Sequence, residues 1–331
     1  MLNRYEERAI PGMIEPIEST LLYNISVNLK FKPNDSVVEF GTFFGRSTNA
    51  IAQGLKQNPS LKTSNKFYAY DSFQCHVSGV FSHHVKNFAR KGGVESLIDT
   101  NESGIVNFQP IFNHYLQWYI SAGIVIPIQS ELHQSKVQTD SILLMHIDSP
   151  KFYDELKYII FEFFPRMKVG SHIVFQDYFY RWSATLISAV GLLLELGYLH
   201  IVSTAASSLH CKLQKEITIH DAEKIDIIMN NSDAILTYLK IAIEKTRSIP
   251  RDKFDRPEQF FPRLTIAMAQ YVHEMGKVED CSKILLGIME YGKTSTKAAN
   301  NQCLMDIHEL TNYDFDIRKL YELDHNIDSQ S

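Results

Sequence analysis

The length, composition and charge of the chain set limits on what it can be. Its 331 residues suffice for one large domain or two smaller ones. A formal net charge of −5 and the absence of any basic run argue against nucleic-acid binding, which needs a concentrated cationic face. The longest apolar runs fall far short of the ~20 residues that span a bilayer, and the N-terminus lacks an apolar signal core. We therefore expect a soluble cytoplasmic protein that binds neither nucleic acid nor membrane. Its scattered cysteines, without a C-x-x-C pair, predict reduced thiols.

Helix-like and strand-like segments alternate through the first two thirds of the chain. Helical spacing of apolar residues predicts a leading helix within residues 13–29. The segments that follow are a strand at 36–40, a helix at 46–55, strands at 66–71, 122–129 and 140–148, a helix at 152–167, a strand at 170–178, a helix at 183–197, and strands at 198–204 and 207–213. This alternation predicts an α/β fold with a doubly wound, mostly parallel seven-stranded sheet of the Rossmann-like kind.

Two regions depart from this alternation. Residues 72–121 show no clear strand and are too long for a bare loop, so we predict helices that cover the edge of the sheet. From Ile219 onward the strands stop, and residues 222–245, 257–275 and 278–292 are helix-like. The domain prediction is therefore a ligand-binding α/β domain at 1–218 and a helical C-terminal region at 219–331, with a frayed end at 326–331.

The stretch "VVEFGTFFGRST", which begins at Val37, places a glycine turn between the first strand and the next helix. Its pattern is E-x-G-x-x-x-G-x-S and lacks the tight glycine triplet of a dinucleotide site, G-x-G-x-x-G. Phe43 and Phe44 fill the space that a pyrophosphate would need, and Glu39 would repel that anion. A ligand with a cationic amino-acid end and one nucleoside, S-adenosylmethionine, fits the turn better.

The second strand ends in Asp71, whose carboxylate can accept hydrogen bonds from both hydroxyls of a ribose. An aspartate at a strand end can equally cap the helix or turn that follows. Each signal is weak alone, but the two in this order support one nucleoside site.

Three stretches resemble class I S-adenosylmethionine-dependent methyltransferases, most closely the macrocin-type sugar O-methyltransferases. They are "VVEFGTFFGRST", "YAYDSF" and "LMHIDSPKFYDELKYIIFEFFPRMKVGSHIVFQDY", and the resemblance covers roughly residues 11–213. It implies that the methionine portion of the cofactor is held by Glu39, Gly41, Gly45 and Ser47. It also implies that Asp71 binds the ribose, that Ser72 and Glu131 border the adenine, and that Asp148 and Asp177 face the acceptor.

The same resemblance implies a magnesium ion that orients the hydroxyls of the sugar. The candidate ligands are Asp148, Gln176 and Asp177. This sequence has an amide at Gln176, where the family has an acid, and carries fewer charges than the family pattern. Hard cations accept amide oxygens, so magnesium stays open.

An aliphatic alcohol needs a base or a cation before it can accept a methyl group. Asp148 and Asp177 are candidates, and so is His84 in the 72–121 segment, although a solvated surface histidine is the simpler interpretation of His84. His146, inside a buried strand, is predicted to be a core histidine.

The sequence as a whole predicts an S-adenosylmethionine-dependent O-methyltransferase acting on a hydroxyl of a sugar or sugar-containing metabolite, with a small molecule or glycan as acceptor. Two alternatives remain: an NAD-dependent oxidoreductase, and a non-catalytic binding module with this fold. A homo-oligomer is compatible with the apolar C-terminal helices.

Overall fold

A computed structural model of the chain describes residues 9–281 and 283–285. Within these residues the chain forms two compact units. The first unit comprises residues 9–149 and 166–173, and the second comprises residues 150–165 and 174 to the last described residue. In that part of the chain, no helix combines the length and the apolar character needed to cross a membrane.

Strands and helices alternate as the sequence predicts. The strands are β1 Ser36–Phe40, β2 Lys66–Asp71, β3 Gln74–His76, β4 Asp99–Thr100, β5 Ile105–Asn107, β6 Val125–Gln129, β7 Ile142–Ile147, β8 Met167–Phe175, β9 Leu199–Ala205 and β10 Ser208–Leu213. The helices are α1 Pro16–Asn28, α2 Arg46–Gln57, α3 Val80–Lys91, α4 Gln109–Ser121, α5 Tyr153–Glu162, α6 Ala184–Glu195, α7 Ile219–Met229, α8 Ser232–Arg247 and α9 Pro257–Glu274.

Seven of the strands form one sheet in the order β6-β2-β1-β7-β8-β10-β9. The β1 strand pairs in parallel with β2 and β7, β2 pairs in parallel with β6, and β9 and β10 form an antiparallel pair. All five residues of β1 are buried, as expected for a strand in the middle of a sheet covered on both faces. The predicted seven-stranded, mostly parallel sheet is confirmed.

The strand order reverses next to β1, and this reversal locates the site. From β1 the chain first builds outward through β2 and β6, and it then returns to place β7 on the other side of β1. In open α/β sheets, ligands bind beyond the carboxyl ends of the two strands at such a reversal. The turn after β1 and the loop after β7 are therefore the expected edges of a ligand site.

The segment between β2 and β6 corrects one expectation. It contains helices α3 and α4, as predicted, but also a small antiparallel sheet in the order β3-β5-β4, where we expected no strand. Each of these strands is only two or three residues long. So short a strand has no room for the apolar–polar alternation that identifies strands in a sequence.

The C-terminal helices begin where the sequence predicts, with one difference. The helix-like stretch 222–245 is divided in the structure, because the chain breaks between α7 and α8. Asn231 causes the break, because its side chain accepts hydrogen bonds from the amides of Asp233 and Ala234 and so caps α8. Residues 278–281 and 283–285 are helical, whereas the remainder of the predicted last helix and the predicted frayed end lie outside the described residues. The boundary at 218/219 stays a prediction.

Candidate functional site

The first glycine of the turn, Gly41, is required by the close approach of another part of the backbone. Its φ is +80°, and a Cβ there would lie 2.8 Å from the amide nitrogen of Ser149, in the loop after β7. The carbonyl of Phe40 accepts hydrogen bonds from the amides of Asp148 and Ser149, at 2.9 and 3.2 Å. These contacts hold the turn after β1 against the loop after β7, at the reversal of the strand order.

The second glycine, Gly45, has a different neighbour. It caps the N-terminus of α2 with φ +89°, and a Cβ there would lie 2.4 Å from Cδ2 of Leu116 and 3.1 Å from the ring of Phe112, both on α4. Ser47, in the first turn of α2, is 4% exposed. Packing against α4 therefore explains why position 45 is a glycine. The contact of Gly45 and Ser47 with a cofactor stays a prediction.

Glu39 is fully buried, and each oxygen of its carboxylate lies within hydrogen-bonding distance of another side chain. Its Oε2 accepts a hydrogen bond from the Thr48 hydroxyl at 2.6 Å, and its Oε1 lies 2.9 Å from Nδ1 of His146. Burial lowers the pKa of His146, but the hydrogen bond and the charge of Glu39 outweigh it, so this pKa is raised overall. Glu39 thus ties the first turn of α2 to β7, and His146 is a core histidine, as predicted. Contact of Glu39 with the methionine portion stays a prediction.

Asp71 braces the glycine turn from the neighbouring strand. Its Oδ2 accepts a hydrogen bond from the Phe43 amide at 2.8 Å, and its Oδ1 accepts one from the Phe73 amide at 2.7 Å. Burial raises the pKa of Asp71 to about 6, against the effect of these bonds, and the negative charge of Asp148 adds to the rise. Asp71 therefore caps the local backbone, and its half-buried carboxylate still has lone pairs for the hydroxyls of a ribose.

The two residues predicted to border an adenine lie beyond paired strand ends. Ser72 follows β2 and Glu131 follows β6, and the last residues of these strands, Asp71 and Gln129, are partners in the parallel register. The side-chain amide nitrogen of Gln129 donates a hydrogen bond to the backbone carbonyl of Ser72 at 3.2 Å, while Glu131 is exposed. Both residues are therefore placed beyond the same edge of the sheet.

The donors and acceptors at the turn fit S-adenosylmethionine better than a dinucleotide. The negative charge of Asp148 is close enough to Asp71 to raise its pKa, and two such carboxylates favour a cationic ligand and repel a pyrophosphate. Phe43 and Phe44 stack with ring centroids 4.0 Å apart, and both also pack near the ring of Phe108. The space beside the turn is thus filled by aromatic rings.

The loops after β7 and β8 build a second polar cluster, within the second unit. Lys151 Nζ lies 2.5 Å from Asp177 Oδ2, and the Ser207 hydroxyl donates to Asp177 Oδ1 at 3.3 Å. The side-chain amide nitrogen of Gln176 donates to the Ser207 oxygen at 3.4 Å. Lys151 and Ser207 are not among the site residues predicted from the sequence. Lys151 lies within a stretch that carried the resemblance, but nothing in the sequence pairs it with Asp177.

This cluster does not fit the predicted magnesium site. Asp177 already faces an ammonium group, and the donor at the preceding position is the uncharged Gln176. No group of three or more His, Cys, Asp or Glu side chains that could hold a metal ion occurs in the described residues. The set Asp148, Gln176 and Asp177 therefore lacks support as a divalent-cation site.

His84 lies on α3 and is 8% exposed, so the interpretation as a solvated surface histidine is wrong. Its ring is 6.5 Å from the ring of His83. The base role of His84 is untested and stays a prediction.

Comparison with known proteins agrees with this chemistry. Residues 38–178 match a family model described as "Methyltransferase domain". These residues include the glycine turn, Asp71 and Asp177, and they cover less than half of the chain. Residues 38–178 therefore match a methyltransferase domain, and this part of the sequence-based prediction is confirmed. No curated protein matches the chain.

Several solved structures are similar to the chain at low sequence identity. CalS11, a TDP-rhamnose 3′-O-methyltransferase of calicheamicin biosynthesis, is 16% identical over 59% of this chain and 77% of its own, with a TM-score of 0.38. The O-methyltransferase NovP is 15% identical over 59% of this chain and 80% of its own, with a TM-score of 0.39. An O-methyltransferase from Bacillus cereus is 10% identical over 63% of this chain and 84% of its own, with a TM-score of 0.30.

Proposed function

We propose that the protein transfers a methyl group from S-adenosylmethionine to a hydroxyl of a sugar or sugar-containing small molecule. A sugar as acceptor is supported by one observation, the polar cluster of Lys151, Gln176, Asp177 and Ser207. It links an ammonium, a carboxylate, a hydroxyl and an amide in a chain of contacts, from Lys151 to Asp177, from Asp177 to Ser207, and from Ser207 to Gln176. Such a set can both donate to and accept from the hydroxyl groups of a sugar.

The first unit would hold the cofactor. Asp71 would accept hydrogen bonds from the ribose hydroxyls. Asp148 would face the acceptor, as predicted from the sequence, and its negative charge, which also acts on Asp71, would favour the cationic sulfonium. Gly41 would let the backbone turn sharply beneath the methionine portion of the cofactor. Ser72 and Glu131 would lie near the base, beyond the paired ends of β2 and β6. Glu39 would act indirectly, by fixing α2 through Thr48 and His146.

S-adenosylmethionine, when bound, supplies a methyl group on a positively charged sulfur, which is already a good leaving group. Methyl transfer would join the acceptor oxygen to the methyl carbon with loss of the carbon–sulfur bond and release of a neutral thioether, and the hydroxyl proton would pass to solvent. The protein's task is to align the acceptor oxygen and to stabilise the negative charge that this oxygen gains as its proton is lost. Magnesium is not part of this proposal, because Lys151 already pairs with Asp177.

Two measurements on the full-length protein test the proposal. In calorimetry, S-adenosylhomocysteine should bind and NAD should give no heat. With radiolabelled S-adenosylmethionine, label should pass to at least one member of a panel of nucleoside-diphosphate sugars and glycosides, and not to catechols, which serve as the control for non-sugar hydroxyls. Binding of NAD without S-adenosylhomocysteine would refute the enzyme class. Binding of S-adenosylhomocysteine with label passing only to catechols would refute the acceptor class.

A further inference from the structure

The ion pair between Lys151 and Asp177 is not a surface feature. The two side chains are 13% and 16% exposed. Asp177 also adopts a left-handed backbone conformation, with φ +60°, which few residues other than glycine tolerate. Removing one partner of a shielded ion pair is costly, because the other charge is left uncompensated. Lys151 is thus the counterion of Asp177, in a position where the family resemblance placed a divalent cation.

The neighbouring Gln176 has an acceptor atom without a donor. Ser207 has one hydroxyl hydrogen, which it gives to Asp177, so its oxygen accepts from the amide nitrogen of Gln176. This orients the Gln176 side-chain oxygen, Oε1, away from Ser207. That oxygen is buried and has no hydrogen-bond partner among the residues that the structure describes. Buried polar atoms are normally paired, so a hydroxyl donor from a ligand would complete this site.

We propose that Lys151 and Gln176 together bind the acceptor hydroxyl, with the Lys151 ammonium supplying the positive charge that a divalent cation would otherwise supply. This inference rests on the proposed function. Gln176 Oε1 accepts a hydrogen bond from the hydroxyl, and the ammonium interacts with both Asp177 and the acceptor oxygen. A fixed positive charge beside that oxygen stabilises the negative charge that the oxygen gains as its proton is lost, and so makes it a better nucleophile for the methyl group. The reaction is then independent of divalent cations.

Metal binding and thermal stability test, without any acceptor, whether Lys151 takes the place of a divalent cation beside Asp177. Electron paramagnetic resonance of Mn²⁺ mixed with the wild-type protein and S-adenosylhomocysteine should show no bound ion at millimolar concentration. In thermal unfolding, Lys151→Met and Asp177→Asn should each lower the melting temperature, and the double variant should lose no more than the worse single variant. Lys157→Met is the matched control, because Lys157 pairs with Asp226 instead and its effect should add to that of Asp177→Asn. Mn²⁺ bound to the wild type and lost in Asp177→Asn would overturn the proposal, and so would additive effects of Lys151→Met and Asp177→Asn.

Kinetics with an acceptor identified from the sugar panel test whether Lys151 and Gln176 bind the acceptor hydroxyl. A chelator should leave turnover unchanged, Lys151→Met should lower kcat by roughly 10²–10³-fold, and Lys151→Arg should restore part of it. Gln176→Leu should raise KM more than it lowers kcat. Loss of turnover with the chelator, or full activity in Lys151→Met, would overturn the proposal. Affinity for S-adenosylhomocysteine should not change in these variants. If the wild type failed to bind S-adenosylhomocysteine at all, the proposed function would fail, while the Mn²⁺ and stability results would still stand for Lys151.

Discussion

The glycine turn of the first unit and the polar cluster of the second unit are built in different ways. Around the turn, Asp71 hydrogen-bonds to backbone amides, and a Cβ at Gly41 would meet backbone atoms. In the cluster, the side chains of Lys151, Asp177 and Ser207 hold one another. Backbone-determined geometry tolerates little change in residue type, whereas side-chain clusters can exchange one charge carrier for another. The turn accordingly matches the glycine pattern read from the sequence, whereas the cluster does not fit the predicted magnesium site.

The largest effect that we expect is the loss of solubility when the C-terminal helices of the second unit are removed. A chain truncated after Lys215 should precipitate, because α8 packs on α6, and a Cβ at Gly191 of α6 would lie 2.1 Å from the carbonyl oxygen of Tyr238 in α8. A chain ending after Leu285, which keeps α7 to α9, should stay in solution. Yield in the soluble fraction measures both. A soluble, S-adenosylhomocysteine-binding chain ending at Lys215 would instead support an independent domain at 1–218.

The next effect tests whether backbone geometry governs the turn. Gly41→Ala should greatly weaken S-adenosylhomocysteine binding in calorimetry, because the new Cβ would displace the loop at Ser149. Gly170→Ala is the matched control, since Gly170 has φ +88° but no atom within 4 Å of the added Cβ. Both changes carry the ~1–2 kcal/mol cost of a left-handed residue, so only Gly41→Ala should affect the ligand. Equal effects of the two changes would show that strain alone matters.

A smaller effect concerns the ionisation of Asp71. The pKa of Asp71 is raised to about 6, and the ionised carboxylate is the better acceptor for ribose hydroxyls. Below that pH, the dissociation constant for S-adenosylhomocysteine should rise about tenfold per pH unit, because one proton must be released on binding. Asp71→Asn should bind more weakly and without this pH dependence. If wild-type affinity is the same at pH 5 and pH 7, Asp71 does not contact the ligand in its ionised form.

The smallest effect concerns the buried pair of Glu39 and His146. The pKa of His146 is raised in the folded state, so its contribution to stability is complete below the unfolded value of about 6.5 and is lost as the pH rises through the folded value. Within that interval, the free energy of unfolding should fall by at most ~1.4 kcal/mol per pH unit. Glu39→Gln should flatten this slope in denaturant titrations. An unchanged slope in Glu39→Gln would mean that Glu39 does not raise this pKa.

The sequence by itself determined the features that depend on local patterns. The strands β1 and β2, the glycine turn, Asp71 at a strand end and the start of the C-terminal helices all follow from apolar periodicity and the special conformation of glycine, which act over a few neighbouring residues. Tertiary structure decided the rest. Lys151, Asp177 and Ser207 meet only because the sheet gathers strand ends that lie far apart in the chain, and Gly45 is explained only by its contact with α4. The strands β3 to β5 depend on pairing with one another, which no pattern two or three residues long can encode.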